Sequence, residues 1–517
     1  MTELRALTVR MYRGLLGDCF LLRVETTGAA RQHILIDCGL LQGLPRAAER
    51  MTAVARDIAA TTGGVVDLLV VTHEHWDHLS GFAQAKDILL DGARIRYRRL
   101  WLAWTERPED PQARALRARF DKRKQAVSRL ALALDEHRID DPAAKLVRDL
   151  NGFIGPLDPP GTAAAPGGRL TGARILEELT ALAEDVDYLE PGSVVELPLD
   201  IGLPVAVLGP PRNEERLFKD LPSSGANKET YLDRGGSATG ASDEPDYTEE
   251  ELANYSLFGV DGTASDGGAL ALGSPFAPRY HAGLNESDVE NRTTSPDTPA
   301  GIADWFHTHY YDKLDEQGQS QSERRIDGAN FQAPASLALK LDSDTNNTSL
   351  VLAIRLPDDR FMLFAADAQV GNWLSWHDQD YGFADRRWSA EEILGATALY
   401  KVGHHGSHNA TLKGQGLAMM TRDDLVALVS TVEEEAKSQG RPPGWLMPNP
   451  EVRKALLERT QGRLVRGDRR WKDDEDVTPY GRKRDFSARL EEGNELFVDY
   501  RIWPPGPLPR KRRSNGP

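Results

Sequence analysis

Cysteine is nearly absent from these 517 residues: only Cys19 and Cys38 occur, each inside an apolar, strand-like segment. A disulfide framework is excluded, and neither thiol has metal-ligand spacing, so both read as buried and inert. No run approaches the ~20 consecutive apolar residues that span a bilayer. Positive charge is in deficit, with 63 Lys and Arg against 79 Asp and Glu. The resulting net charge of −16 disfavours wrapping nucleic acid over the whole surface, though it permits a local basic groove. The start, Met1-Thr2-Glu3-Leu4-Arg5, enters a strand-like run without a secretory pattern, and a cytoplasmic location is the expectation. Histidine is also scarce, at 12 positions, and three of those fall between residues 73 and 78.

That cluster organises the chain. Leu68-Leu69-Val70-Val71 is apolar without alternation, the pattern of a buried strand. It runs directly into Thr72-His73-Glu74-His75-Trp76-Asp77-His78, three histidines and two carboxylates in six positions. Strand packing requires none of them, and a solvated polar loop would draw less heavily on so rare a residue. Neutral imidazole and carboxylate are natural ligands of zinc and similar divalent ions.

The rest reads as two halves of strands and helices separated by insertions. Strand-like runs at 7–11, 17–24 and 34–39 carry the turn signals Gly17-Asp18 and Asp37-Cys38-Gly39, which structural turns alone would explain. Helices are expected at about 45–62, 82–90, 108–150 and 172–184, and strands at 94–104, 193–197 and 205–208. Arg114, Arg117, Arg119, Lys122, Arg123 and Lys124 make one helix strongly basic, either a solvated face or a phosphate-contact surface. The stretch from 213 to about 330 is rich in Gly, Ser, Asp, Asn and Thr and reads as a long irregular insertion. Its His307 and His309 have a ligand-like spacing, but their aromatic neighbours favour packing. Strand-like runs return at 336–340, 349–354, 361–366 and 398–402, followed by helices near 414–437 and 450–460 and a strand at 495–500. Asp367 ends one of these strands, and Gly403-His404-His405-Gly406-Ser407-His408 follows another. The tail from Pro504, ending Arg510-Lys511-Arg512-Arg513, reads as disordered and basic, a solubilising end or an electrostatic tether.

His-x-His-x-Asp-His after an apolar strand resembles the signature of the metallo-β-lactamase superfamily. Gly17-Asp18, Asp37, the histidine loop, Asn346 to Leu352, Asp367-Ala368, Lys401 to Ser407 and Pro448 to Val452 sharpen this, in that order. They resemble the branch that holds the metallo-β-lactamase domain of competence-type DNA-uptake proteins and the choline-phosphate esterases. The resemblance implies an α/β fold, an αββα sandwich interrupted by a helical and a long irregular insertion. Its first half would be residues 1–104 and its second half 335–503, with core strands at 191–212. Insertions would occupy 105–190 and 213–334, and the tail 504–517. It further implies His73 and His75 on one metal, Asp77 and His78 on the other, Asp367 bridging, and His405 completing the set. His404 would face the substrate, although adjacency leaves the reverse order open. Asp37 would brace the ligands from behind, with Asp18 beside it. Where many members supply a further histidine, this chain has Asn346 or Asn347, poor zinc ligands, so manganese is an alternative to one or two Zn2+ ions.

The implied activity is metal-assisted hydrolysis of a phosphodiester, either a short single-stranded nucleic acid or a smaller diester. Asp77 or Asp367 would orient water, and His404 would protonate the leaving oxygen. A lactone, thioester or lactam hydrolase is the alternative enzyme, and a metal-binding interaction module with little turnover is the alternative outside enzymes. No membrane partner is implied.

Overall fold

A computed structural model describes residues 3–28, 31–136, 142–157, 170–220, 222, 229–231, 332–440, 444–481 and 483–505. His307, His309, most of the 213–334 insertion and the basic tail from 506 lie outside the described residues. The chain divides into two units, one of residues 1–124, 152–237 and 340–517, the other of residues 125–151 and 238–339. In the second, the Ser128 hydroxyl donates to Asn151 Oδ1 at 2.5 Å. Everything below concerns the first.

Two sheets form that unit. Their strands are β1 (Leu4–Tyr12), β2 (Cys19–Thr26), β3 (Gln32–Cys38), β4 (Leu68–Val70), β5 (Arg99–Ala103), β6 (Asp185–Leu189), β7 (Val194–Glu196), β8 (Pro204–Gly209), β9 (Val351–Arg355), β10 (Phe361–Phe364), β11 (Thr397–Lys401), β12 (Val426–Val429), β13 (Leu464–Arg466), β14 (Leu490–Glu491) and β15 (Phe497–Trp503). The first sheet has the order β14-β15-β1-β2-β3-β4-β5-β6 and the second β13-β12-β11-β10-β9-β8-β7. The apolar alternation of β1 explains the layering. Leu7, Val9 and Met11 join Val207, Leu352 and Phe364 in one core between the sheets, while Arg10 and Tyr12 reach Asp57 on helix α1 (Ala47–Thr62). The result is a mixed α/β sandwich. No helix among the described residues is long and apolar enough to cross a membrane.

Several elements differ from the sequence pattern. Residues 336–340, expected as a strand, belong to a helix, Gln332–Asn347. Leu, Ala and Lys are strong helix formers, and the buried positions Ala338, Leu341 and Thr345 have helical spacing. The helix expected over 414–437 gives way to β12 and a short helix, Glu433–Lys437. An apolar run buried on both faces has no periodicity to separate strand from helix. After the histidine loop the helix α2 begins at Trp76 and runs to Gln84, so Asp77 and His78 are helical rather than loop residues. β6 adds an edge strand to the first sheet within a stretch expected to be mainly helical.

β3 and β4 are parallel, as are β10, β11 and β12. Asp37 lies at the carboxyl end of β3, and the segments leaving the others carry His73, Asp367, His404, His405 and Ser430. Ligand sites in α/β sheets favour such ends.

Candidate metal centre

The loop after β4 runs extended to His75 (φ −61°, ψ 146°), which caps α2. Extended backbone alternates its side chains. Accordingly His73 and His75 bring their rings within 4.9 Å centroid to centroid, while Glu74 turns away to Lys124 Nζ at 2.5 Å. The chain passes very close to the turn after β3. A Cβ on Gly39 would lie 2.4 Å from the carbonyl carbon of Asp77, so only glycine fits there. The Asp18 amide donates to the Asp77 carbonyl at 3.0 Å. The two turn signals flanking β2 and β3 therefore cradle the loop.

Four groups from three distant segments converge. Ligand atoms of Asp77, His78, Asp367 and His405, all buried, lie within 4.8 Å of one another. Partners on the far side of each ring decide which nitrogen faces inward. His78 Nδ1 donates to Asp37 Oδ2 at 2.9 Å, and His405 Nδ1 to the Ser430 carbonyl at 2.7 Å. Thr72 Oγ1 gives its proton to Asp37 Oδ2, so at 3.1 Å it accepts from His73 Nδ1. All three Nε2 atoms thus face inward, and in the neutral ring each carries the lone pair. His405 Nε2 lies 2.9 Å from Asp77 Oδ2 and His78 Nε2 3.2 Å from Asp367 Oδ2. His73 Nε2, His78 Nε2, Asp77 Oδ1 and Asp367 Oδ2 are buried without a hydrogen-bond partner.

Asp18, Asp37 and His78 also lie within ligand distance of one another, but Asp37 is fully engaged and Asp18 gives one oxygen to a cation. Asp37 holds the Thr72 amide at 2.8 Å as well as its hydroxyl and His78, and Asp18 pairs with the buried Lys401 ammonium. Lys401 also donates to the Ala366 carbonyl at 2.9 Å and lies 3.5 Å from Asp367 Oδ1. It was legible only as part of a motif, and its charge now balances part of the acidic cluster.

His404 differs from His405. Its Nδ1 faces the Gln369 amide nitrogen at 3.5 Å, a donor, which leaves Nε2 carrying hydrogen; that Nε2 is buried without a partner. The backbone here is strained. Asp37 (φ 54°), Ala366 (φ 49°), His404 (φ 42°) and His405 (φ 53°) are four of seven non-glycine residues in the left-handed region among the described residues. Such clustering is typical of sites whose surroundings over-determine the backbone. Phe153 stacks on Trp445 (5.2 Å, 22°) and approaches His75 at 5.7 Å and His404 at 6.1 Å, an aromatic wall beside the cluster.

The two asparagines part company. Asn347 is committed to backbone, accepting from the Gln369 and Asn372 amides and donating to Lys219. Asn346 donates at 3.2 Å to Asp342 Oδ2. Asp342, unanticipated in the sequence, places Oδ1 4.0 Å from His75 Nε2. An i, i+4 relation to Asn346 was the available signal, hidden once 336–340 was read as a strand. The basic helix is used internally: Arg123 reaches Asp344 at 3.1 Å, Lys124 reaches Glu74, and Arg119 covers the Phe218 ring at 4.3 Å. That part of it is neither a solvated face nor a free phosphate surface.

Burial drives the histidines apart electrostatically. It holds His73 well below its ordinary pKa, with His78 and His75 adding repulsion, and takes His75 and His404 down to about 4. Burial opposes charge on His78 and His405 too, but Asp367 and Asp77 outweigh it for His78, and the Asp77 hydrogen bond for His405, so both are raised. Burial, with Asp77 and Asp367, pushes the Asp342 carboxyl well above the usual range. Carboxylates at 18, 37, 77, 342 and 367, all but that of Asp342 fully buried, gather around one ammonium with imidazole Nε2 atoms turned inward, a donor set that fits divalent cations.

Compared with known proteins, residues 12–168 match the family model of the metallo-beta-lactamase superfamily. The match takes in Asp18, Asp37 and the histidine loop; Asp342, Asp367, His404 and His405 lie beyond it. A search of curated proteins finds no match.

Proposed function

We propose that this chain, which carries a metallo-β-lactamase superfamily domain over residues 12–168, is a metal-dependent phosphodiesterase. The superfamily consists largely of metal-dependent hydrolases. The observation that carries the reading is the common orientation of His73, His78 and His405. Each has Nδ1 tied to an oxygen and Nε2 turned inward, that of His405 to Asp77 and that of His78 to Asp367. These residues would hold the metal, zinc first and manganese second. When bound, divalent ions supply Lewis acidity and make hydroxide available near neutral pH.

The chain's own groups do the rest. Asp77 spends Oδ2 on His405 and has Oδ1 free to orient the hydrolytic water. His404, neutral at pH 7, offers its Nε2 hydrogen to a phosphoryl or leaving-group oxygen. The Phe153–Trp445 pair offers a face to a base or aryl leaving group. Phosphodiester chemistry is favoured over lactam or lactone opening by the Lys401-Val402-Gly403-His404-His405-Gly406-Ser407 turn, which resembles the phosphodiesterase-like branch. With Arg123 and Lys124 engaged inside the fold and a net charge of −16, a small diester or a short single strand suits the site better than a long duplex.

The test is a panel of an aryl phosphodiester, single-stranded DNA, RNA, a lactone and a β-lactam, each with zinc or manganese. Turnover of the phosphodiesters is the expected result. Cleavage of the lactone or lactam alone would replace this reading with the carboxyl-derivative hydrolase, and metal binding without turnover would leave an interaction module.

A further inference from the structure

We infer that Asp342 is a metal-ligating carboxylate which, with His73 and His75, completes a second ion position beside the Asp77–His78–Asp367–His405 group. The inference rests on the metal-centre reading above and names a ligand that lies outside the family match, on the helix Gln332–Asn347.

Three features of Asp342 point to a cation. Its side chain is 10% exposed and its Oδ1, 4.0 Å from His75 Nε2, is buried without a hydrogen-bond partner. Its other oxygen is held by the Asn346 amide at 3.2 Å, which fixes the carboxylate plane and is the usual task of a group supporting a metal ligand. The charged groups that act on it include Asp77 and Asp367, both of like sign. A buried carboxylate left among like charges is costly unless a cation is supplied.

Asp344, two residues further along the same helix, is the internal comparison. It is fully buried, and the fold gives it Lys340 and Arg123. Where this helix buries a carboxylate for structure, it supplies protein cations. At Asp342 it supplies only the Asn346 amide, with the His75 imidazole facing the carboxylate at 4.0 Å. His73 is the proposed third member: its ring lies 4.9 Å from that of His75, and its Nε2 is also buried and unpartnered. Two imidazoles and one carboxylate are a protein ligand set of hydrolytic zinc sites, which keep a further position for water. Of the asparagines that stand where a histidine was expected, Asn347 holds backbone, and Asn346 orients Asp342 through its amide nitrogen.

The test compares wild type, Asp342→Asn, Asp342→Ala and Asp344→Asn as full-length proteins purified with zinc. Readouts are metal per chain by elemental analysis, affinity by chelator competition, the absorption of the cobalt-substituted protein, and the thermal midpoint. Wild type is expected to hold two ions. Both Asp342 variants should hold one, or bind the second about 10–100-fold more weakly, and lose part of the cobalt spectrum. Asp344→Asn should lower the thermal midpoint and leave metal content at two. If the isosteric Asp342→Asn keeps two ions at unchanged affinity, Asp342 is not a ligand and this inference fails while the metal-centre reading stands. If wild type binds no metal, both fall together.

Discussion

His78 and Asp37, 41 positions apart in the chain, meet at 2.9 Å between Nδ1 and Oδ2, and the same carboxylate takes the amide and hydroxyl of Thr72. One side chain from β3 therefore sets both the tautomer of His78 and the path of the loop that carries His73 and His75. Asp37→Asn should weaken metal binding by about 10–100-fold, the usual consequence of losing a group that orients a ligand. Chelator competition measures this. Unchanged affinity would reduce Asp37 to a brace for the loop.

Asp367 stands at the centre of the cluster, with His78 Nε2 at 3.2 Å and Lys401 Nζ at 3.5 Å. Its removal from a strand end loses little packing but takes a carboxylate out of the proposed metal ligands. Asp367→Ala should lower phosphodiesterase activity by orders of magnitude, with only a modest shift of the thermal midpoint in excess metal. Near-normal turnover would show that it merely ends the strand.

The metal-free protein should weaken in acid for an identifiable reason. Burial holds His75 and His404 at about 4, below the ~6.5 of an unfolded histidine. Groups with depressed folded values stabilise above the unfolded value, and that stability is lost as pH falls from about 6.5 through 4. Each contributes at most roughly 3 kcal/mol by this linkage. His78 and His405, whose values are raised, work in the opposite direction and lose their contribution as pH rises. Urea midpoints of chelated protein at pH 7.5 and 4.5 should fall further for wild type than for His75→Gln/His404→Gln. Parallel losses would refute the assignment.

Lys124 and Glu74 form an ion pair with side chains only 9% and 14% exposed. Lys124→Met strands the Glu74 carboxylate and should cost about 3 kcal/mol, read as a lower thermal midpoint. The salt dependence of KM should not change. A midpoint left in place together with a flatter salt dependence would restore the helix as a phosphate contact.

An aryl substrate should register the aromatic wall. Trp445→Ala removes the ring stacked on Phe153 and is expected to raise KM for an aryl phosphodiester several-fold with a smaller change for a methyl ester of the same chemistry, a difference of about 1 kcal/mol. Equal changes for both substrates would place the ring in loop packing alone.

Much of this arrangement was present in local sequence. Leu68 to Val71 leads out of a buried strand into the histidine loop, and Gly39 stands where the loop's backbone leaves no room for a Cβ. Pro450 follows Asn449 at a helix start, and Gly63 ends α1. Each depends on periodicity, a turn or the donor type of one residue, which a short stretch carries by itself. Tertiary structure decided the rest. Asp77 and His405 are 328 positions apart, and the tautomers of His73, His78 and His405 depend on oxygens that only the folded chain brings to them. β12 was misread because a buried apolar run lacks a polar phase, and Ser336 to Lys340 because so short a stretch does not separate alternation from a helical turn. Arg123 and Lys124 of the basic helix turned inward because Asp344 and Glu74 were there to meet them. Residue types announce a metal site; which atoms face it is a property of partners supplied by distant segments, under burial that makes an unpartnered polar group costly.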